Sequence, residues 1–154
     1  MTAPPPVPST RPRPVQIAFW TSIAGAVLLF VGGMLAITRT YPELRSAFAA
    51  STTDDQVHQA LTMHRGAGVI YLVAGAALAL LAGRTRNGDV RYRRALVALS
   101  VVIVVMLAVA TVFLRIVLEL PAVLAVIPVA VGATLFTRPA VADWFAGSQE
   151  RTDG

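Results

Sequence analysis

Apolar residues gather along this chain into four long runs: Val15–Ile37, Gly66–Gly83, Ala95–Leu114 and roughly Leu120–Phe136. No run carries a charged residue in its interior. A helix rises 1.5 Å per residue, so ~20 apolar residues cross the ~30 Å hydrocarbon core of a bilayer. The first and third runs reach that length, and the second and fourth sit at the short end of the spanning range. The pattern predicts an all-α polytopic membrane protein, a four-helix transmembrane bundle with one short extracytoplasmic helical loop. Residues 15–136 form its transmembrane domain. Small residues recur at helical spacing inside three runs: Ser22, Gly25, Gly32 and Ala36; Gly68, Gly75 and Ala82; Ala122, Ala125 and Gly132. Close backbone approach drives helix association in lipid, so these stripes are expected to face inward. They would also suit a dimer seam, but internal packing is their more economical use.

The polar links predict further elements. Residues 1–14 hold Pro4, Pro5, Pro6, Pro8, Pro12 and Pro14, which suits an extended solvated tail; a polyproline ligand is the less common use of such a segment. The first run is too long for a signal-peptide core and has no clean cleavage site after it, so it reads as a retained span. Between the first two runs, Pro42 opens a short helix through Ala50, and Ser51-Thr52-Thr53 breaks it. Thr53-Asp54-Asp55-Gln56 then forms a capping box for a helix bearing Val57, Ala60 and Leu61 on one face. That helix is expected to lie along the outer surface and lead into the second span near His64-Arg65. Pro121 favours a helix break at Leu120, and Pro128 should kink or loosen the fourth span. Residues 137–154 read as an interfacial segment, with Trp144 and Phe145 at the headgroup level, followed by a mobile tail.

Composition narrows the class. The chain is 56% hydrophobic and 14% charged, and it has no cysteine. Disulfides, thiol catalysis and thiolate metal sites are therefore absent. All 13 basic residues are arginine and the net charge is +5. Their positions explain the excess better than nucleic acid binding does. The link Arg84–Arg94 holds Arg84, Arg86, Arg91, Arg93 and Arg94; with both tails that side has nine arginines, against Arg39, Arg45, Arg65 and Arg115 on the other. Positively charged loops stay in the cytoplasm, which places both termini there and residues 38–65 outside, in a plasma membrane. The clustered arginines, with Trp20 and Trp144, read as topology and lipid-headgroup anchors.

The candidate chemistry is sparse. Asp54 and His58 stand four apart on the outer helix, where a carboxylate and an imidazole could share a divalent metal. Two ligands do not complete a site, and a surface Asp–His pair accounts for them. His64 should point elsewhere on the same helix. Both histidines precede the second span, away from the bundle depth that axial haem ligation requires. Arg115 and Glu119 are also four apart and could grip a ligand at an outer cavity, or be a snorkelling arginine with a local partner. Tyr71, Ser100, Thr111 and Thr134 are polar groups within spans, and none is ionised at membrane depth, where coupled transport usually needs one. Nothing in the chain implies a cofactor, a resident metal or a nucleic acid partner. The bilayer is the expected partner, with other membrane proteins of the envelope beside it.

The order of features is also recognisable. Arg-Pro-Val-Gln-Ile-Ala-Phe-Trp (13–20) enters the first span, an arginine-rich link precedes Ala95, and Arg-Pro-Ala-Val-Ala-Asp-Trp-Phe (138–145) follows the last span. In these features the chain resembles small four-span integral membrane proteins of actinobacteria whose function is unassigned. The resemblance spans most of the chain and implies a plasma-membrane protein. Its motifs are anchoring patterns and bring no functional residue with them. Three functional readings remain. They are a non-enzymatic accessory or scaffold subunit of an envelope assembly, a lipid- or small-molecule-binding transporter or channel with an outer-face site, and a metal-dependent membrane enzyme.

Overall fold

The computed structural model describes residues 13–85, 89–112, 119–139 and 141. Among these residues the chain is all helical: α1 (Arg13–Thr38), α2 (Tyr41–Ala47), α3 (Asp54–Thr85), α4 (Val90–Val112) and α5 (Leu120–Thr137). The four long helices are each apolar and long enough to cross a membrane. Large side chains cover their outer surface, with Leu80 71% exposed and Ile127 64%. A continuous apolar exterior of this kind is solvated by lipid, not by water. The protein is an integral membrane protein with four candidate spans.

The bundle runs up-down-up-down. α1 packs most closely, with α3 on one side and α5 on the other, and α4 closes the ring more loosely against α3 and α5. Most buried positions recur at alternating intervals of three and four residues, with Ala26, Gly33 and Ala74 buried beside them. In α1 they include Val15, Ala18, Ser22, Gly25, Leu29, Gly32 and Ala36. In α3 they include Val57, Leu61, His64, Gly68, Tyr71, Gly75, Leu78, Ala82 and Thr85. The same rhythm appears in α4 (Leu96, Ser100, Ile103, Leu107) and in α5 (Ala122, Ala125, Val129, Gly132, Phe136). A repeat of 3.5 residues keeps one seam facing its neighbours along the length of a helix. The expected small-residue stripes all lie on these seams.

Glycine sets the closeness of the two tight contacts. A Cβ at Gly68 would lie 2.8 Å from the Gly33 carbonyl oxygen, and one at Gly33 would lie 2.7 Å from that of Gly68. Towards α5, a Cβ at Gly32 would lie 2.9 Å from the Ala122 nitrogen. Two buried serine hydroxyls within the spans bond back to their own helices: Ser22 Oγ donates to Ala18 O at 2.9 Å and Ser100 Oγ to Leu96 O at 2.9 Å. The Thr111 side chain lies outside the described residues.

Two expectations about the first link need correction. α2 ends at Ala47, not Ala50. There is also no separate surface helix before the second span, because α3 is one continuous helix from Asp54 to Thr85. No proline stands between Gln56 and Arg84, and the buried seam runs unbroken through His64. The capping box at its start is formed: Thr53 N–H donates to Gln56 Oε1 at 3.1 Å, and Gln56 N–H to Thr53 Oγ1 at 3.4 Å. Leu44 of α2 packs with Val57 and Leu61, flanked by Tyr41 and Ala60, into a small satellite core. α5 begins at Leu120, with Pro121 in its first turn, and continues helical through Pro128.

Candidate functional site

The polar chemistry converges at the end of the bundle where α1 stops and α5 starts. Because α1 and α5 are antiparallel neighbours, Arg39 just past one helix meets Glu119 just before the other. Arg39 Nε donates to Glu119 Oε1 at 2.9 Å and Nη2 donates to Oε2 at 3.1 Å. This two-toothed geometry matches a planar guanidinium to a carboxylate. His64 comes from α3, with Nε2 3.4 Å from Glu119 Oε1. Glu119 and His64 are both buried, whereas the Arg39 side chain is 41% exposed. Arg65 adds a longer bond, Nη2 donating to the Arg39 carbonyl at 3.4 Å.

The electrostatics of the site are self-consistent. The hydrogen bond from Arg39 holds the Glu119 carboxyl below its usual value, against the opposing effect of burial. The same bond to Glu119 raises the already high value of Arg39. The two charges also complement the helix dipoles, an anion at the start of α5 and a cation at the end of α1. A carboxylate so stabilised is a weak base, since its lone pairs are held by a guanidinium and an imidazole. The arrangement is a tie between three helices.

A second set of contacts fastens the α2 link. Tyr41 Oη donates to Asp54 Oδ1 at 2.8 Å, and the Arg45 guanidinium Nε lies 3.6 Å from the same oxygen. Its bond to Asp54 pushes the Tyr41 hydroxyl above the ordinary tyrosine value. The His58 ring stacks on Tyr41 with centroids 4.6 Å apart. Thr40 N–H donates to Glu43 Oε2 at 3.0 Å, which lowers the Glu43 carboxyl.

The candidate residues read from the sequence are thus distributed over two clusters. Glu119 is paired with Arg39 and His64; Arg115 lies outside the described residues. Asp54 and His58 both meet Tyr41. Among the described residues no group of three or more potential metal ligands comes together. His64 points elsewhere than the exposed His58, and its direction is into the bundle. Arg39 and Tyr41 were not singled out as site residues by sequence reasoning, and His64 was weighed there only as a metal or haem ligand, not as a partner of Glu119. The signal for His64 was present: it continues the seam of Val57, Leu61, Gly68 and Tyr71. Arg39 carried no comparable signal, because its partner is 80 residues away in the chain.

The opposite end of the bundle is basic. Arg84 Nη1 donates to the Tyr92 hydroxyl at 3.0 Å, and the guanidinium carbon stands 5.5 Å from the Tyr92 ring centroid. Arg91 N–H donates to Asp89 Oδ1 at 2.8 Å, capping α4. Trp20 is exposed near the start of α1, edge-on to Phe19 at 5.3 Å. Arg86 and Trp144 lie outside the described residues.

On the surface between α3 and α4, near the Arg39–Glu119 end, is an open apolar groove of about 360 Å³ lined by Met63, Gly66, Ala67, Ile70, Met106 and Val109. Tyr71 borders it, and its buried hydroxyl has no hydrogen-bond partner among the described residues.

Comparison with known proteins finds no matching family model, no matching curated protein and no matching solved structure. The likeness to small four-span membrane proteins therefore rests on the four apolar helices themselves.

Proposed function

We propose that this protein is a non-enzymatic accessory or scaffold subunit of an envelope assembly, held in the plasma membrane with both termini and the Arg84–Arg94 link in the cytoplasm. The observation that carries this reading is the Arg39–Glu119–His64 tie. The charged groups of the site engage one another and join helix ends, so they stabilise the fold and have little capacity left to act on a substrate. The arginine asymmetry supports the orientation. Affinity purification of the tagged chain in mild detergent is expected to recover stoichiometric integral membrane partners. Recovery only as a lone monomer or homodimer under several gentle conditions would overturn it.

A second reading, a lipid- or small-molecule-binding transporter or channel, is favoured by the open apolar groove between α3 and α4. Its volume falls within the range of small-molecule pockets and its lining is apolar. Flux and lipid-binding assays on liposomes containing the wild type and Ala67→Phe separate the two readings. The second requires activity above empty liposomes that the phenylalanine abolishes.

A further inference from the structure

The Arg84–Tyr92 pair joins the end of α3 to the first turn of α4, at the ends of two candidate spans. Arg84 uses Nη1 on the Tyr92 hydroxyl and is steadied by the ring. Its remaining N–H groups still form a fork suited to phosphate oxygens. Tyr92 accepts from Arg84, which leaves its own hydroxyl proton to donate. Arg91 and Arg94, one turn apart on α4, are exposed and lie away from the buried seam of Leu96, Ser100, Ile103 and Leu107. Arg13 and Arg138 stand at the same end. Against these cations, the described acid at this end is Asp89, whose Oδ1 accepts from the Arg91 backbone.

We propose that Arg84 and Tyr92, with Arg91 beside them, bind the phosphate of an anionic glycerophospholipid at the surface of the bundle. The surrounding charge selects an anionic headgroup over a zwitterionic one, and the apolar exterior of α3 and α4 carries the acyl chains. This proposal rests on the four-span architecture and is independent of the accessory role.

The test uses the full chain, purified in detergent and delipidated. It is titrated with phosphatidylglycerol or phosphatidylcholine, and bound lipid is counted by native mass spectrometry. Preferential retention of phosphatidylglycerol is expected. An Arg84→Gln/Tyr92→Phe double variant should weaken it at least fivefold, and Arg91→Gln, at an exposed position, by roughly fivefold. Arg45→Gln/Arg65→Gln at the opposite end should leave it unchanged. Circular dichroism establishes that each variant is folded; if the double variant is not, Arg91→Gln decides. Equal retention of the two lipids, or undiminished preference in folded variants, would overturn the proposal. Displacement of the lipid by millimolar inorganic phosphate would also overturn it, showing a site for the free ion.

Discussion

Glu119 and Arg39 account for most of what single residues contribute at the candidate site. Glu119 is buried at one end of the bundle, and its carboxylate is tolerable there because Arg39 supplies both charge and two hydrogen bonds. Removing the arginine leaves an uncompensated anion. A fully buried pair broken in this way costs ~3–5 kcal/mol, but the 41% exposure of Arg39 reduces the effect to about 1–3 kcal/mol for Arg39→Ala. Thermal unfolding in a fixed detergent at pH 7 measures it, and an unchanged midpoint would refute the tie. The pH dependence has a defined sign. The folded-state value of Glu119 is lowered, so its stabilisation is fully present above the unfolded carboxylate value of ~4.3 and is lost as pH falls through the lower folded value. The stability gap between wild type and Glu119→Gln should therefore narrow on acidification below pH ~4. A gap that stays constant from pH 7 to pH 3 would show that the ionised pair contributes nothing.

Among the elements, glycine placement decides which helices meet. The Gly33–Gly68 crossing brings α1 and α3 into backbone contact, and Gly32 does the same for α1 and α5. Gly68→Val should overpack the α1–α3 contact and destabilise by about 1–3 kcal/mol. Gly66→Ala and Gly83→Ala have open space around the new methyl group and should be neutral to slightly stabilising in helix interiors. Melting temperatures of the three variants check this, and equal losses at Gly66 and Gly68 would contradict the packing. Much at this scale was legible beforehand. The Thr53–Gln56 capping box depends on four adjacent residues, and the inward stripes depend on spacing along one helix. The length of α3 was not legible, because His64-Arg65 looks like a polar boundary. Only the continued seam, together with a buried acceptor for His64, shows that the helix passes straight through.

The molecule as a whole presents an apolar exterior between two unlike ends. One end is interlocked by Arg39, Glu119, His64, Tyr41 and Asp54, and the other carries the arginine-rich link. Reporter fusions after Thr53 and after Asn87 are expected to report opposite sides of the membrane, with Asn87 cytoplasmic. A cytoplasmic signal at Thr53 would reverse the proposed orientation. The sequence by itself determined the class, the four spans, the cap of α3 and the small-residue faces. These follow from hydropathy, spacing and neighbouring residues, which are properties of short stretches of chain. The tertiary structure alone decided the partner of Glu119, the inward role of His64, the gathering of Asp54 and His58 on Tyr41, and the Arg84–Tyr92 pair. Charged side chains are long and their partners are fixed by which helix ends are brought together, so those contacts exist only once the bundle has packed.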